Sequence, residues 1–137
     1  MVPVERFSAT VQPRDNPGPT ILAALEAAER FAQRAALAPA TLARLRIVVE
    51  ELVSNALRHG CNGNAVAIEL ALTADNGAVI LDLADNCSAF DPTERRFDGP
   101  DRESGGGVGL ELVRSWTRDI AYAHDGERNI LRATLPA

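Results

Sequence analysis

The apolar positions in the first half of the chain follow two spacings, one typical of strands and one typical of helices. Residues 4–11 mix β-forming and polar residues and are followed by a run rich in proline, which indicates an edge strand. From Thr20 the apolar residues recur at helical spacing, and after Pro39 a second apolar stripe begins at Thr41 and ends near His59. The pattern therefore predicts one strand followed by two amphipathic helices.

The second half of the chain contains short β-like runs around one further helix. Residues 65–72 and 78–84 are joined through Asn76-Gly77, a pair that favours a tight hairpin turn. A polar loop at 85–107 precedes a predicted helix at 108–117 and two strands at 119–123 and 129–135. This order predicts an α/β two-layer sandwich, with a mixed, mainly antiparallel sheet and the helices on one face.

Composition and charge narrow the class of protein. With 137 residues, 46% of them hydrophobic, the chain is expected to form a single domain over residues 1–137. It lacks both an apolar run of membrane-spanning length and a signal-peptide pattern, so we expect a cytoplasmic protein with no membrane association. The formal net charge of −5 argues against direct nucleic-acid binding. Cys61 and Cys87 lack the spacing of a zinc or redox motif, and we expect two free thiols.

The basic residues exclude two kinds of nucleotide site. All 14 are arginines, and the chain contains no lysine. A P-loop and a eukaryotic-type protein kinase each use a lysine to hold ATP phosphates. The sequence therefore excludes both.

The second predicted helix presents polar side chains away from its apolar stripe. Glu51 and Asn55 are four residues apart and lie on the same side of the helix, where they could act on one ligand. Arg58 and His59 continue this polar side. The alternative interpretation of such a pair is a solvated helix surface.

Two further stretches carry candidate chemistry. The glycines of residues 105–109 precede an apolar helix, so their amides could face a phosphate, although the alternative is a flexible hinge. A dinucleotide-binding fingerprint is excluded, because Leu110 occupies its third glycine position. Asp85 ends a predicted strand and could accept a hydrogen bond from the exocyclic amine of a base, or simply form a turn.

Three stretches, taken together and in this order, resemble a known family. Residues 51–60 (ELVSNALRHG) resemble the N box of GHKL (histidine kinase-like) ATPases, residues 85–92 (DNCSAFDP) the G1 box, and residues 105–113 (GGGVGLELV) the G2 box. The form of these boxes is most similar to that of the anti-sigma factor serine/threonine kinases. The resemblance spans nearly the whole chain.

The resemblance implies roles for individual residues. Glu51 would be the catalytic general base, Asn55 would bind Mg²⁺ bridging the ATP phosphates, and Asp85 would recognise adenine. Residues 93–104 would form a short ATP lid, in which Arg102 would face the phosphates. The residues implied to contact the nucleotide are Asn55, Arg58, His59, Asp85, Cys87, Ala89, Phe90, Arg102, Gly105, Gly106, Gly107, Val108, Gly109, Leu110 and Asn129.

The implied function is that of a protein kinase in a partner-switching system. Such a protein binds Mg-ATP, phosphorylates a STAS-domain anti-anti-sigma protein and sequesters a sigma factor; whether this chain forms a homodimer stays open. The alternative is a nucleotide-binding or degenerate scaffold that regulates through protein binding alone. Cys87 favours that alternative, because it stands where the G1 box has glycine and a side chain there would crowd the base.

Overall fold

A computed structural model describes residues 2–58, 61, 63–89 and 106–137. Three helices and five strands follow one another in the predicted order. The elements are β1 (Val4–Val11), α1 (Gly18–Ala35), α2 (Pro39–Arg58), β2 (Val66–Asp75), β3 (Ala78–Asp85), α3 (Gly106–Trp116), β4 (Arg118–His124) and β5 (Asn129–Leu135).

The five strands form one sheet in the order β1-β2-β3-β5-β4. Each of the four pairings between these strands is antiparallel, so the described part of the sheet contains no parallel pair. The register places Leu70 opposite Leu83 and Leu83 opposite Leu131, which aligns one apolar row across three strands. The α/β two-layer sandwich predicted from the sequence is confirmed.

The core lies between the helices and one face of this sheet. In β2 the alternate residues Ile68, Leu70 and Leu72 are buried, and the helices contribute Phe31 and Leu45, both fully buried. Burying side chains of this size contributes about 1.5–3 kcal/mol each to the free energy of unfolding. Because the helices are apolar on one side only, no helix among the described residues is long and apolar enough to cross a membrane.

All three helices begin two residues earlier than their apolar stripes suggest. The first turn of α1 begins at Gly18, whose amide donates to Asn16 Oδ1 at 2.9 Å. The second helix begins at Pro39. Proline is tolerated there because amides in the first turn of a helix have no partner within the helix, so the amide hydrogen that proline lacks is not needed. The third begins within the glycines, at Gly106. The start of α3 therefore consists of backbone with little side-chain cover.

The hairpin between β2 and β3 turns where the sequence predicted. Asn76 has a φ of 51° and Gly77 a φ of 83°. Two consecutive residues with positive φ form the turn whose twist matches that of the flanking strands. This hairpin places Asp85 at the far end of β3.

The two cysteines form a disulfide bond, so the prediction of free thiols was wrong. Cys61 lies just beyond α2 and Cys87 just beyond β3, with their Cα atoms 4.6 Å apart. The bond joins positions 26 residues apart, and no local spacing motif marks such a pair. Closing a loop of this length stabilises a fold by about 3–4 kcal/mol in the chain-entropy account.

Candidate functional site

A cleft opens between the polar side of α2 and the adjacent ends of three strands. Its walls mix apolar side chains with a group of polar ones at the strand ends. The residues that line it are Leu52, Asn55, Ala56, Leu83, Asp85, Cys87, Ser88, Tyr122, Asn129 and Leu131. Sites for small organic ligands have this character, apolar walls with a few positioned polar groups.

Asp85 lies at the end of the cleft where β3 and β5 meet. The register of the two strands places it directly opposite Asn129. Its Oδ1 accepts hydrogen bonds from the Cys87 amide at 3.0 Å and from Asn129 Nδ2 at 2.9 Å. No described residue donates to Oδ2, and this oxygen is not sealed from solvent. One carboxylate oxygen is thus used to fix the side chain, and the other is available to a ligand.

Asn129 connects three segments of the chain behind the cleft. It is buried, and its Nδ2 donates to the Ser88 carbonyl at 2.9 Å as well as to Asp85. The hydroxyl of Tyr122 donates to Asn129 Oδ1. The sequence predicted Asn129 as a nucleotide contact, and the structure shows it within the cleft, holding Asp85 and the loop after β3.

His124 fixes the same loop from its other side. The Gly126 amide donates to His124 Nδ1 at 3.1 Å, so Nδ1 carries no hydrogen in this arrangement. The ring hydrogen is therefore on Nε2, which lies 3.2 Å from the Cys87 carbonyl and donates to it. The backbone at Cys87 is therefore held by the ring of His124.

Asn86 extends the pairing of β2 and β3 beyond the end of the strands. Its amide donates to the Ala67 carbonyl at 3.2 Å, and its Oδ1 accepts from the Ala67 amide at 2.9 Å. Its Nδ2 donates to the Ala65 carbonyl at 3.3 Å. Residues 86–88 are consequently anchored to strands on both sides, which makes them a firm wall for the cleft.

Asn55 faces the cleft from α2. Asn55 is only 9% exposed, and its side chain makes no hydrogen bond to another described residue. The polar atoms of this side chain are nevertheless accessible to solvent. An amide oxygen in this situation is available as a ligand for a hard cation or as a hydrogen-bond acceptor. The structure therefore brings Asn55 and Asp85, two residues predicted from separate motifs, to the same cleft.

Glu51 lies one turn before Asn55 and packs against the first turn of α3. A Cβ built on Gly109 would overlap the carboxyl carbon and both carboxyl oxygens of Glu51. Only glycine leaves this space free, so Gly109 is what allows the carboxyl group to approach the start of α3. The N-terminal turn of a helix carries unpaired amides and partial positive charge, and a carboxylate is favoured there.

The environment of Glu51 makes it a better base. Burial raises the pKa of this carboxyl above its ordinary value, and the negative charge of Glu50 raises it further. The positive charge of Arg58 acts in the opposite direction and is the smallest of the three influences. Because burial dominates, Glu51 holds a proton more strongly than a solvent-exposed glutamate, which makes it a stronger base.

Several predicted contact residues lie away from the cleft. Arg58 lines a separate groove beside the segment after β1, and Ala89 is exposed outside the cleft lining. Leu110 is buried in an apolar gap between α3, α2 and the sheet, where it packs against Leu52 and Val113. The structure therefore gives Leu110 a place in the core.

The glycine-rich segment is described only in part. The backbone of Gly106, Gly107 and Val108 forms the first turn of α3. The remaining predictions, for His59, Phe90, Arg102, Gly105 and the lid at 93–104, lie outside the described residues.

The sequence analysis missed Ser88, Tyr122 and His124 as parts of the site. Ser88 and Tyr122 line the cleft, and His124 supports its wall from behind. Their role depends on the pairing of β4 with β5, which sets His124 opposite Asn129. The signal for Ser88 was its place within residues 85–92, and the signal for His124 was the polar character of a short strand ending in Asp125-Gly126.

Acidic and histidine side chains form no ready metal site. Among the described residues, no group of three or more His, Cys, Asp or Glu side chains could hold a metal ion. Of the residues that line the cleft, Asn55 offers an amide oxygen of the kind that hard cations accept as a ligand.

Comparison with known proteins gives one match. A family model described as the histidine kinase-like ATPase domain matches residues 16–135, and a search of curated proteins found no match. The matched range includes α1 to β5 and every residue of the cleft. The family part of the resemblance seen in the sequence is confirmed, and the anti-sigma part stays a prediction.

The packing of Glu51 against Gly109 can be tested by a double-mutant cycle. Gly109→Ala should change the free energy of unfolding by less than about 1 kcal/mol, because the flexible Glu51 carboxyl must move aside while alanine gains about 0.5–1 kcal/mol of helix propensity. In a Glu51→Ala background nothing has to move aside, so the same substitution should be more favourable by at least about 0.5 kcal/mol than in the parent. Urea unfolding measures all four corners of the cycle. Gly18→Ala is the control, since only the flexible end of Asn16 lies near that position; equal costs in both backgrounds would contradict the contact.

The pKa of Glu51 predicts how stability depends on pH. The folded-state pKa of Glu51 is raised, so as the pH rises from about 4.3 the unfolded chain loses this proton before the folded chain does. The free energy of unfolding therefore falls with rising pH until the folded-state pKa of Glu51 is passed. Glu51→Gln should therefore gain stability relative to the parent between pH 4 and pH 8, measured by urea unfolding. Glu26→Gln, at an exposed position of α1, should run parallel to the parent. A Glu51→Gln curve parallel to the parent would refute the raised pKa.

Proposed function

The chain belongs to the histidine kinase-like ATPase domain family, and from that premise we propose that it is a cytoplasmic serine/threonine protein kinase of the anti-sigma factor type. Membership of the family implies ATP binding. The proposed reaction transfers the γ-phosphate of ATP to a serine or threonine of a STAS-domain anti-anti-sigma protein. The proposed regulatory step is sequestration of a sigma factor by the same domain.

One observation supports the catalytic part above all others. A half-buried glutamate with a raised pKa lies against the first turn of α3, next to the cleft that Asn55 and Asp85 line. A carboxylate, a free amide oxygen and unpaired helix amides are thus adjacent. Phosphoryl transfer from a nucleoside triphosphate can use such groups to accept the proton of the attacking hydroxyl, to hold a cation and to bind phosphate oxygens.

The cleft fits the base of a nucleotide at the Asp85 end. The unpartnered Oδ2 of Asp85 can accept a hydrogen bond from the exocyclic amine of adenine, while Leu83 and Leu131 cover the ring. Asn129 and the Cys87 amide hold Asp85 so that this oxygen stays directed toward the cleft. Recognition of adenine therefore depends on a carboxylate that is already positioned before the ligand binds.

Asn55 and the start of α3 fit the phosphate end. The amide oxygen of Asn55 would hold Mg²⁺ together with phosphate oxygens, and the cation would offset their negative charge. The first-turn amides of α3, with glycine at 106, 107 and 109, can approach phosphate oxygens because no side chains obstruct them. The chain has no lysine to supply this charge, so backbone and arginine must contribute the remainder.

Glu51 is proposed as the general base for transfer. It accepts the proton of the attacking serine or threonine hydroxyl as the new oxygen–phosphorus bond forms and the bond to ADP breaks. Its raised pKa makes it a stronger base, and its place beside α3 puts it next to the phosphate-binding amides. The proton and the phosphoryl group thus move in the same confined region.

The alternative function is a scaffold that binds nucleotide or protein without catalysis. The sequence argument for it was that a residue other than glycine at Cys87 would crowd the base or would be excluded from a positive φ. Cys87 is not among the described non-glycine residues with positive φ, so the backbone there accepts a side chain without strain. Its side chain is bonded to Cys61 and lines the cleft, so of the two arguments for the scaffold only the crowding of the base remains.

Phosphoryl transfer tests the proposal directly. Radiolabelled ATP should label a STAS-domain protein from the same genome, and Glu51→Gln should reduce the rate by roughly 100- to 10,000-fold because the general base is lost. Asn55→Ala should also abolish transfer by removing the cation ligand. Glu26→Gln, at an exposed position of α1, is the matched control and should stay within about threefold of the parent.

Three results would overturn parts of this proposal. Absence of labelling on every STAS-domain protein of the genome would contradict the kinase function. Magnesium-dependent ATP binding without any transfer would favour the scaffold. Undiminished transfer by Glu51→Gln would remove Glu51 from the role of base.

A further inference from the structure

The disulfide separates two depressions on the surface. Cys87 lines the nucleotide cleft, whereas Cys61 lines an open groove of about 520 Å³ on the other side of the bond. The groove also contains Gly63 and Asn64 of the turn that follows Cys61. The groove therefore offers a path toward Cys61, which is 8% exposed, that does not pass through the cleft.

The two ends of the bond are anchored unequally. The backbone at Cys87 is held by Asp85, His124 and Asn129. Among the described residues, the carbonyl of Cys61 accepts from the amide and the side chain of Asn64, at 3.0 and 2.9 Å, and its sulfur lies 3.3 Å from Asn86 Oδ1. Of the described contacts, the disulfide is thus the main connection from the end of α2 to the wall of the cleft.

We propose that the Cys61–Cys87 pair is a thiol–disulfide exchange site, entered at Cys61 by a small dithiol, that sets the affinity of the adjacent cleft for nucleotide. A thiolate of the dithiol attacks Cys61 Sγ, the bond to Cys87 breaks, and Cys87 leaves as a thiolate that takes up a proton. The second thiol of the reagent then displaces Cys61 and forms the cyclic disulfide of the reagent. Two electrons and two protons pass from the dithiol to the protein.

The oxidised pair favours nucleotide binding. It holds the end of α2, and with it Asn55, against the loop that carries Asp85 and Cys87. Reduction releases the weakly anchored turn at Cys61, so part of the binding free energy must then order the cleft. By linkage, bound nucleotide favours the oxidised pair to the same extent. This consequence rests on the proposed nucleotide function, whereas the exchange reaction does not.

The proposed cytoplasmic location indicates a regulatory role for the Cys61–Cys87 disulfide in addition to its contribution to stability. In a cytoplasm thiols are kept reduced, and disulfides there are usually transient and sense redox conditions. A bond that ties a motif at the end of α2 to a motif at the end of β3 is suited to that use, because it joins the two walls of one binding site.

Calorimetry with MgATP on the full chain tests the coupling. The air-oxidised protein should contain no titratable thiol, and treatment with dithiothreitol should release two and weaken MgATP binding at least fivefold. Cys61→Ser and Cys87→Ser should each bind like the reduced parent and should not respond to dithiothreitol. Equal affinity of both redox states would overturn the coupling alone, and two free thiols in the oxidised protein would overturn the exchange site. Absence of MgATP binding in both states would refute the nucleotide function and the coupling with it.

The point of attack has its own test. In Cys87→Ser the remaining Cys61 thiol should react with N-ethylmaleimide at least tenfold faster than the Cys87 thiol in Cys61→Ser, because Cys61 lines the open groove. Faster labelling of Cys87 would overturn the assignment of Cys61 as the attacked sulfur. Labelling of denatured samples gives the common reference rate for both variants.

Discussion

The close approach of Glu51 to Gly109 is the constraint on which the arrangement of the site depends. A carboxyl group from α2 fills the space that a Cβ on the first turn of α3 would need. The contact brings α2 and the first turn of α3 together at Glu51, one turn before Asn55. The glycine thus does more than expose backbone amides, since it lets a charged side chain enter a half-buried position beside them. The cost of that burial appears as the raised pKa of Glu51.

The opposite wall of the cleft depends on polar contacts at the ends of strands. Asp85 ends β3 and Asn129 begins β5, and their register makes them partners. Asn129 also forms hydrogen bonds with the Ser88 carbonyl and the Tyr122 hydroxyl, while His124 donates a hydrogen bond to the Cys87 carbonyl. A buried network of this kind is rigid only when its members are all satisfied. Among the described residues no buried side-chain nitrogen or oxygen lacks a partner, so the wall has one well-defined conformation, with a single carboxylate oxygen left for a ligand.

Most of the fold could be predicted from the sequence because the patterns that indicate its helices, strands and turns are local. The 3.6-residue stripes of α1 and α2, the alternation in β2 and the Asn76-Gly77 turn each depend on neighbours within a few positions. Helix starts were less predictable, because Pro39 and Gly106 are compatible with a first turn but do not signal one. The hydrophobic pattern therefore located the elements, and capping chemistry decided their first residues.

The site was predictable as a set of motifs and unpredictable as a set of contacts. Glu51, Asn55 and Asp85 were identified by their residue types and order, and the structure places the last two on one cleft. The pairing of Asp85 with Asn129, the entry of Glu51 beside Gly109 and the bond between Cys61 and Cys87 join residues from distant parts of the sequence. Such contacts follow from strand register and helix packing, which a single sequence does not specify.

We propose that the cleft between α2 and the ends of β3 and β5 binds MgATP through Asp85. Calorimetric titration of the oxidised chain with ATP, with and without Mg²⁺, measures this most directly when Asp85→Asn is compared with Asp82→Asn. Asp82 lies on the same strand but pairs with Arg132 away from the cleft. We expect magnesium-dependent binding that weakens at least tenfold in Asp85→Asn and stays within twofold in Asp82→Asn. Equal affinity in the parent and in Asp85→Asn would contradict it.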